Sequence, residues 1–331
     1  MERFALAAAV VLGFALTAAL CSLFVPLRRV LERREQQQQP VQSEQPRPAP
    51  LRAPLWGGLC AAAGTVAAVG VGWLAACVGQ PELLGSEGRL MTRLLTALAG
   101  SLAFGAVGLA EDLARMRSPA ALGLRQDVRL LLEALAAAFV LLLLQAAGCL
   151  PRGLDVPRAG YVLLGSAVPF LWAVLMVALA ECARIAERDE GTVCGAAFVA
   201  MLALMMAEAG LGVPGLAVLP AALAGALVAL LLWAFPPARL GVGCCGSLLA
   251  AGAIGCIPLS LDMTSLTVPL ALPFWAAGGL WAAQLLGAKR TGKPLRCWVK
   301  KHKMSPETVF LCSFALSAVG YVLALALLRW C

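Results

Sequence analysis

The chain has 331 residues, of which 61% are hydrophobic and only 13% are charged. Soluble globular proteins carry about 25% charged residues, so this composition excludes an ordinary soluble domain. The apolar residues form long runs rich in Leu and Ala, which are typical of membrane-spanning helices and not of the alternating strands of a membrane barrel. We therefore expect an all-α polytopic membrane protein.

Crossing the hydrocarbon core takes about 20 apolar residues of helix, and about ten segments of the chain approach that length. In chain order the predicted spans are 4–27, 55–79, 91–110, 130–150, 160–180, 191–211, 216–235, 241–258, 266–287 and 307–329. The span 241–258 is short and rich in glycine. The first span is long and has no small-residue cleavage site before its arginines, so we interpret it as a retained anchor helix.

The spans belong to one transmembrane domain over residues 1–331, because no polar segment is long or apolar enough to bury a separate core. Segment 28–54 contains a run of four glutamines and many prolines, which predicts a flexible cytoplasmic loop rich in Arg, Gln and Pro. Segment 288–306 is predicted to be a basic cytoplasmic loop.

The positive charges indicate an orientation. With the N-terminus outside, the cytoplasmic loops hold about 20 of the 26 lysines and arginines, since Lys and Arg are retained on the cytoplasmic side. This asymmetry predicts both termini outside. The net charge of +8 is thus mainly a topology signal, and no basic segment interleaved with aromatics suggests nucleic-acid binding.

Histidine and cysteine give weak signals. Cysteines within predicted spans act as small apolar residues, and these include Cys21, Cys60, Cys77, Cys194, Cys256 and Cys312. No CxxC pair occurs. A disulfide or zinc site is therefore not favoured. His302 is the only histidine and lies in a Lys-rich loop, where a solvated residue is the default interpretation and a catalytic role the alternative.

Acidic residues gather where predicted spans end on the cytoplasmic side. Glu111 and Asp112 end the third span, and the segment 181–190 joins the fifth and sixth. Carboxylates facing one another there could hold Mg²⁺, whereas the alternative is that they only anchor helix ends at the interface. Glu133 and Glu208 lie deeper, where they either pair with arginine or belong to a proton path.

Several short motifs follow one another in a definite order. They are Pro54–Gly58, Gly108–Asp112, Gly123-Leu124 with Arg129 and Glu133, Glu181–Gly191, Pro237–Ser247 and Thr291–Lys293. The set resembles the polyprenyl-phosphate sugar-1-phosphate transferases of the glycosyltransferase family 4 type. That family includes phospho-MurNAc-pentapeptide transferase and the GlcNAc-1-phosphate transferases. The resemblance covers almost the whole chain.

The resemblance implies ten helices, both termini outside, and a Mg²⁺ site at the cytoplasmic face of the bacterial cytoplasmic (inner) membrane. The family moves a sugar-1-phosphate from a UDP-sugar to undecaprenyl phosphate, and its members are often homodimers. When the family's motifs are matched to this sequence, its catalytic positions fall at Asp112, Glu111, Glu190 and Cys244. Its metal-binding positions fall at Asp112, Glu187 and Glu190. The phosphate-binding positions would be Arg129, Arg184, Arg239 and Lys293.

The chain departs from the family at the positions that carry chemistry. Glu111 replaces the first aspartate of a pair, Arg184 replaces an asparagine, and Cys244 replaces an aspartate that binds the metal. The family's triple-histidine loop is missing, with 296–298 in its place. A thiol is a soft ligand that Mg²⁺ does not favour, and a guanidinium repels a metal.

These departures leave two main hypotheses. One is a divergent but active transferase that uses Mg²⁺. The other is a catalytically inactive paralogue that binds polyprenyl phosphate or acts as a scaffold for envelope-synthesis proteins. A small-solute transporter is a third alternative, although the chain shows no inverted repeat of the kind common in transporters.

Overall fold

The computed structural model describes residues 2–38, 56–79, 88–117, 123–151, 153–156, 160–163, 165, 167–187, 191–213, 215–235, 238–286 and 305–328. Eleven α-helices occur within these ranges. They are α1 (Glu2–Gln38), α2 (Gly57–Gly79), α3 (Gly88–Arg117), α4 (Gln126–Ala146), α5 (Ala167–Ala186), α6 (Thr192–Gly210), α7 (Val218–Ala234), α8 (Gly243–Ser260), α9 (Thr267–Leu270), α10 (Leu272–Leu286) and α11 (Pro306–Leu328). Strands β1 (Gly153–Val156) and β2 (Gly160–Leu163) form an antiparallel hairpin, and a 3-10 turn (Thr264–Leu266) precedes α9.

The helices make this an all-α polytopic membrane protein. Within the described ranges, seven helices are long and apolar enough to cross a membrane, or eight if the bent pair α9–α10 is one span. Helix α7 is also apolar but has only 17 residues. Every predicted span overlaps a helix or this bent pair, while the number of ten crossings and the orientation stay predictions.

Two boundaries differ from the prediction. Helix α1 continues to Gln38, into the segment expected to be a loop, because its Arg, Glu and Gln side chains are good helix formers. The fifth span was predicted from residue 160, but β2 occupies 160–163 and α5 begins at Ala167. Tyr161 and Val162 favour a strand, and Gly165 has a φ of +59°, which ends any continuous helix there.

The ninth span is broken. Helices α9 and α10 meet at an angle of 64° around Ala271. Pro269 and Pro273 flank this break, and proline removes a backbone donor and kinks helices.

Helix α8 is the centre of the bundle, and all of its 18 residues are buried. It packs most extensively against α3 and also contacts α2, α5 and α6. Its sequence is rich in Gly, Ala, Cys and Ser, and small residues let helix backbones approach closely within a membrane. At one end, the amides of Gly57 and Gly58 in α2 donate to the carbonyls of Gly241 and Val242, just before α8 begins.

Gly58 permits this contact between α2 and α8. A Cβ at Gly58 would lie 2.7 Å from the Cα of Gly246 and 2.8 Å from the carbonyl carbon of Cys245, which are backbone atoms that cannot rotate away. We expect Gly58→Ala to lower the free energy of unfolding by about 2–3 kcal/mol, since overpacking of this kind shifts backbone. Gly70→Ala in the same helix is the matched control, because a Cβ there meets nothing within 4 Å. Thermal unfolding in detergent compares the two, and equal midpoints would contradict the contact.

Candidate functional site

Four helix ends meet at one end of the bundle and bring the predicted acidic residues together. The C-terminal parts of α3 and α5 lie there beside the first turns of α4 and α8. Glu111 and Asp112 come from α3, Arg129 and Glu133 from α4, and Glu181 from α5. Glu111, Asp112 and Glu133 are almost completely buried.

Asp112 caps helix α8. Its Oδ1 accepts a hydrogen bond from the amide of Cys244 at 3.0 Å, and its Oδ2 accepts one from the amide of Cys245 at 2.9 Å. The first amides of a helix have no partner within the helix, and a carboxylate there also interacts favourably with the helix dipole. Both oxygens of Asp112 are therefore committed to the backbone of α8, which supports a structural role for this carboxylate.

Arg129 is the hub of an ion network between three helices. Its Nε lies 2.7 Å from Oε1 of Glu181 and donates a hydrogen bond to it. The same Nε lies 4.0 Å from Oε1 of Glu133, and its Nη1 lies 3.8 Å from Oε1 of Glu111. One guanidinium thus faces carboxylates from α3, α4 and α5.

Two further arginines complete the network. Arg115 Nη2 donates to Oε1 of Glu111 at 2.6 Å, one helical turn away, and Arg115 Nη1 lies 4.0 Å from Asp112. Arg184 donates to Oε2 of Glu181 through Nε at 3.2 Å and also through Nη2. Arg115 and Arg184 keep 17% and 11% of their side-chain surface exposed and Glu181 keeps 23%, so these three side chains form the solvent-side rim of the network.

Some carboxylate oxygens of the network have no hydrogen-bond partner. Both oxygens of Glu133 and Oε2 of Glu111 are buried and unpartnered. A buried polar atom without a partner costs free energy, so these oxygens are a specific feature that needs an explanation. Glu208, near the far end of α6, has one unpartnered buried oxygen as well but lies outside this cluster.

The remaining predicted residues are placed as follows. Arg239 is exposed in the segment after α7, where its backbone amide donates to the carbonyl of Trp233. Glu187 is half-buried directly after α5. Cys244 is fully buried in the first turn of α8. Glu190, Lys293 and His302 lie outside the described residues, and the roles predicted for all of these side chains stay predictions.

The residues in the described ranges do not fit a Mg²⁺ ion. No group of three His, Cys, Asp or Glu side chains is arranged to hold a metal in this part of the chain. The Asp112 oxygens accept from backbone amides, Arg184 binds the Glu181 carboxylate, and Cys244 offers a thiol where a hard oxygen is wanted. Among the described residues, pairs of arginine and carboxylate lie where the magnesium centre was predicted, and the centre itself stays a prediction because Glu190 lies outside these residues.

Arg115 was missed by the sequence prediction. The spacing of four residues from Glu111 was a usable signal, because side chains at i and i+4 of a helix are neighbours. The pairing of Glu181 with Arg129 had no comparable signal, because it joins two helices that are distant in sequence. Ten cysteines lie in the described ranges, and all of them are free thiols.

Several known proteins are similar to this chain in sequence. The sequence profile of the family described as "Glycosyl transferase family 4" matches residues 94–262, which run from within α3 to just after α8. The chain is 28% identical over 265 residues to the phospho-N-acetylmuramoyl-pentapeptide-transferase of Mycobacterium tuberculosis (strain ATCC 25618 / H37Rv), covering 72% of each chain. It is 32% identical over 170 residues to the enzyme of the same name from Desulforudis audaxviator, covering 48% of this chain and 50% of the relative. The corresponding protein of Synechococcus sp. (strain RCC307) is 30% identical over 212 residues, or 63% of this chain and 55% of the relative.

Proposed function

Because the chain belongs to glycosyl transferase family 4, we propose that it is a member that has lost metal-dependent sugar-phosphate transfer and binds polyprenyl phosphate. It does so at the cytoplasmic face of the bacterial cytoplasmic membrane. The observation that carries this proposal is the commitment of the site's carboxylates to other groups. Asp112 is held by two backbone amides, and Glu111 and Glu181 are held by three arginines.

We also propose that the chain crosses the membrane ten times, with both termini outside. This orientation places the ends of α3 and α5 and the beginnings of α4 and α8 in the cytoplasm, together with most lysines and arginines. The ion network then lies at the depth where the headgroup of a lipid phosphate sits. The unpartnered apolar faces of the outer helices, such as α11, contact lipid.

Arginine supports recognition of a phosphate without a metal. A guanidinium presents two parallel donors that match phosphate oxygens, and it keeps its charge at every physiological pH. Arg239 is exposed, and Arg115 is partly exposed at the rim of the network. Each basic group near an anionic surface contributes roughly 1 kcal/mol, so a few of them suffice for a weak lipid-phosphate site.

An active but divergent transferase is the second candidate. It is supported by the names of the relatives, which are all phospho-N-acetylmuramoyl-pentapeptide-transferases. It would need metal-binding carboxylates besides Glu111, Asp112 and Glu181, and Glu187 with Glu190 are the candidates that the sequence offers. A UDP-sugar would be the donor and Mg²⁺ the cofactor. This candidate requires UMP release to depend on the metal.

Binding of undecaprenyl phosphate tests the first candidate. The full chain in lipid nanodiscs is titrated with undecaprenyl phosphate in Mg²⁺ and in EDTA, and with undecaprenol as the ligand without a phosphate. We expect the dissociation constants of undecaprenyl phosphate in Mg²⁺ and in EDTA to agree within about twofold, because no metal bridges the phosphate. Undecaprenol should bind more weakly, because it has no phosphate for a guanidinium to bind.

Two variants make this test sharper. We expect Arg239→Gln to weaken binding about fivefold, as loss of roughly 1 kcal/mol requires. Arg125→Gln is the control that removes the same charge from the same face, and it should change binding less than twofold. Loss of binding in EDTA, or equal binding of undecaprenol, would contradict a metal-independent phosphate site.

A further inference from the structure

Helices α1 and α2 pack against each other in antiparallel directions and in one register. A Cβ added at Gly72 would lie 3.0 Å from the Cβ of Ala9, so these two residues face each other. About two helical turns further along, a Cβ added at Gly64 would lie only 3.2 Å from the backbone nitrogen of Thr17. The two helix backbones therefore approach each other closely.

The next turn of this interface holds a pair of thiols. Cys21 follows Thr17 by one helical turn in α1. Cys60 precedes Gly64 by one turn in α2. Residues four apart lie on the same face of a helix, so the shared register places the two cysteines opposite each other. Their side chains are hydrogen-bonded to each other, and both are free thiols.

The surrounding packing holds this pair in place. Cys21 and Cys60 are 0% and 1% exposed. About one turn further along, the rings of Phe24 and Trp56 stack with their centroids 5.6 Å apart. A disulfide needs Cα atoms about 4.4–6.8 Å apart, which two helices reach only where their backbones approach closely. The pair therefore lies at a place in the fold where a disulfide can be accommodated.

Cys60 is placed to be the more nucleophilic of the two. It is in the first turn of α2, which begins at Gly57, whereas Cys21 lies in the interior of α1. The first turn of a helix stabilises negative charge, and the thiolate is the form of cysteine that reacts. The hydrogen bond between the side chains lets the Cys21 thiol donate to the Cys60 sulfur.

We propose that Cys21 and Cys60 are a redox-active pair, which hydrogen peroxide oxidises to a disulfide that joins α1 to α2. The Cys60 thiolate attacks one peroxide oxygen, so that an S–O bond forms and the O–O bond breaks. The hydroxide that leaves takes up the proton released by the Cys60 thiol. The Cys21 sulfur then attacks the sulfur of the Cys60 sulfenic acid, an S–S bond forms, the S–O bond breaks, and hydroxide leaves with the Cys21 proton as water. Two thiols are thus oxidised while one peroxide is reduced to two waters.

This disulfide would fix α1 to the first turn of α2. The same turn is joined to the segment before α8 by the hydrogen bonds from Gly57 and Gly58. Thiol exchange requires attack on an accessible sulfur, so a buried disulfide here is shielded from protein thiols. The proposal does not depend on the proposed function, because it concerns only how α1 and α2 pack.

Peroxide treatment of the full chain in lipid nanodiscs tests this proposal. A protease site is inserted between residues 40 and 54, so that cleavage separates α1 from α2 unless a disulfide joins them. We expect at least about tenfold more linked fragments after treatment than before it, on gels without reductant. Dithiothreitol should separate these fragments, and mass spectrometry should identify the peptides of Cys21 and Cys60 as the linked pair.

Thermal unfolding reports whether the fold accommodates the new bond. The unfolding midpoint should rise by at least roughly 4 °C on oxidation, because the disulfide constrains the unfolded chain between α1 and α2. The reduced chain, and the oxidised chain after dithiothreitol, should share the lower midpoint.

Single cysteine variants are the controls. Cys21→Ala and Cys60→Ala should each abolish the link. Cys77→Ala removes another buried thiol of α2 and should leave the link unchanged. Dimedone added during unfolding should label the sulfenic acid of Cys60 in Cys21→Ala, and labelling of Cys21 in Cys60→Ala should be at least about tenfold lower.

Three results would overturn the proposal. The first is a native chain whose fragments stay unlinked after peroxide treatment. The second is a linked pair that contains Cys194, which lies near Cys21 in the first turn of α6 and is the alternative partner. The third is an unfolding midpoint that falls on oxidation. All three are measured with the native cysteines in place, so they hold even if an alanine variant does not fold.

Discussion

Replacement of Asp112 by alanine is expected to lower the free energy of unfolding by about 3–5 kcal/mol. The Asp112 carboxylate accepts from the amides of Cys244 and Cys245 at the first turn of α8, and that helix is buried along its whole length. Without the carboxylate, two buried amides lose their partners, at about 1–3 kcal/mol each. Arg115 also loses a carboxylate that lies 4.0 Å from its Nη1.

Chemical unfolding in mixed detergent micelles measures this loss. Asp112→Asn keeps one acceptor oxygen and should lose about half as much, whereas Asp127→Ala, whose side chain is 82% exposed, should change stability by less than about 0.5 kcal/mol. The measurements are made in EDTA and repeated in Mg²⁺. If Asp112 were a metal ligand instead of a helix cap, its replacement would destabilise the protein only in Mg²⁺, and that result would contradict the capping role.

The helices could be predicted because the bilayer constrains them strongly. Every backbone amide in the hydrocarbon core must be bonded within its own segment, so an apolar run of sufficient length is a helix. Length and hydropathy alone therefore located each helix to within a few residues in most cases. The glycine-rich segment 241–258, which seemed the weakest span, is helix α8 at the centre of the bundle.

The irregular parts could not be predicted in the same way. Strand β2 of the hairpin replaces the beginning of the predicted fifth span, because the local residues prefer a strand and Gly165 ends any continuous helix. A hydropathy window averages over such short features and does not detect them. The bend of 64° between α9 and α10 depends on prolines whose effect on direction is set by neighbouring helices.

The sequence predicted that several charged residues lie close together, but not how they pair. The motif order placed Glu111, Asp112, Arg129 and Glu181 at one end of the bundle, and the structure brings them together there. The positive charge of Arg184 and the thiol of Cys244 already predicted that the site would bind a metal ion poorly. The sequence could not show that Asp112 caps α8, because that contact joins residues more than a hundred positions apart.

The pairing of Arg129 with Glu181 was equally inaccessible to the sequence. Arg129 was expected to contact a phosphate, whereas its guanidinium is buried against carboxylates of three helices. Pairing within one helix follows from spacing, but pairing between helices depends on how the helices pack. Only the structure therefore distinguishes an arginine that is available to bind a ligand from an arginine whose guanidinium is already paired with carboxylates.

Release of UMP tests the proposed loss of transfer most directly. The full-length chain in nanodiscs is incubated with undecaprenyl phosphate, Mg²⁺ and either UDP-GlcNAc or UDP-MurNAc-pentapeptide, and an active member of the family is assayed in parallel. Loss of one electrostatic contribution typically lowers a rate by about 10²–10³, so several losses predict turnover at least about 10⁴-fold below the active enzyme. The predicted result is no UMP above background, in the same nanodiscs that bind undecaprenyl phosphate. Release of UMP that requires Mg²⁺ and stops on chelation would contradict the account.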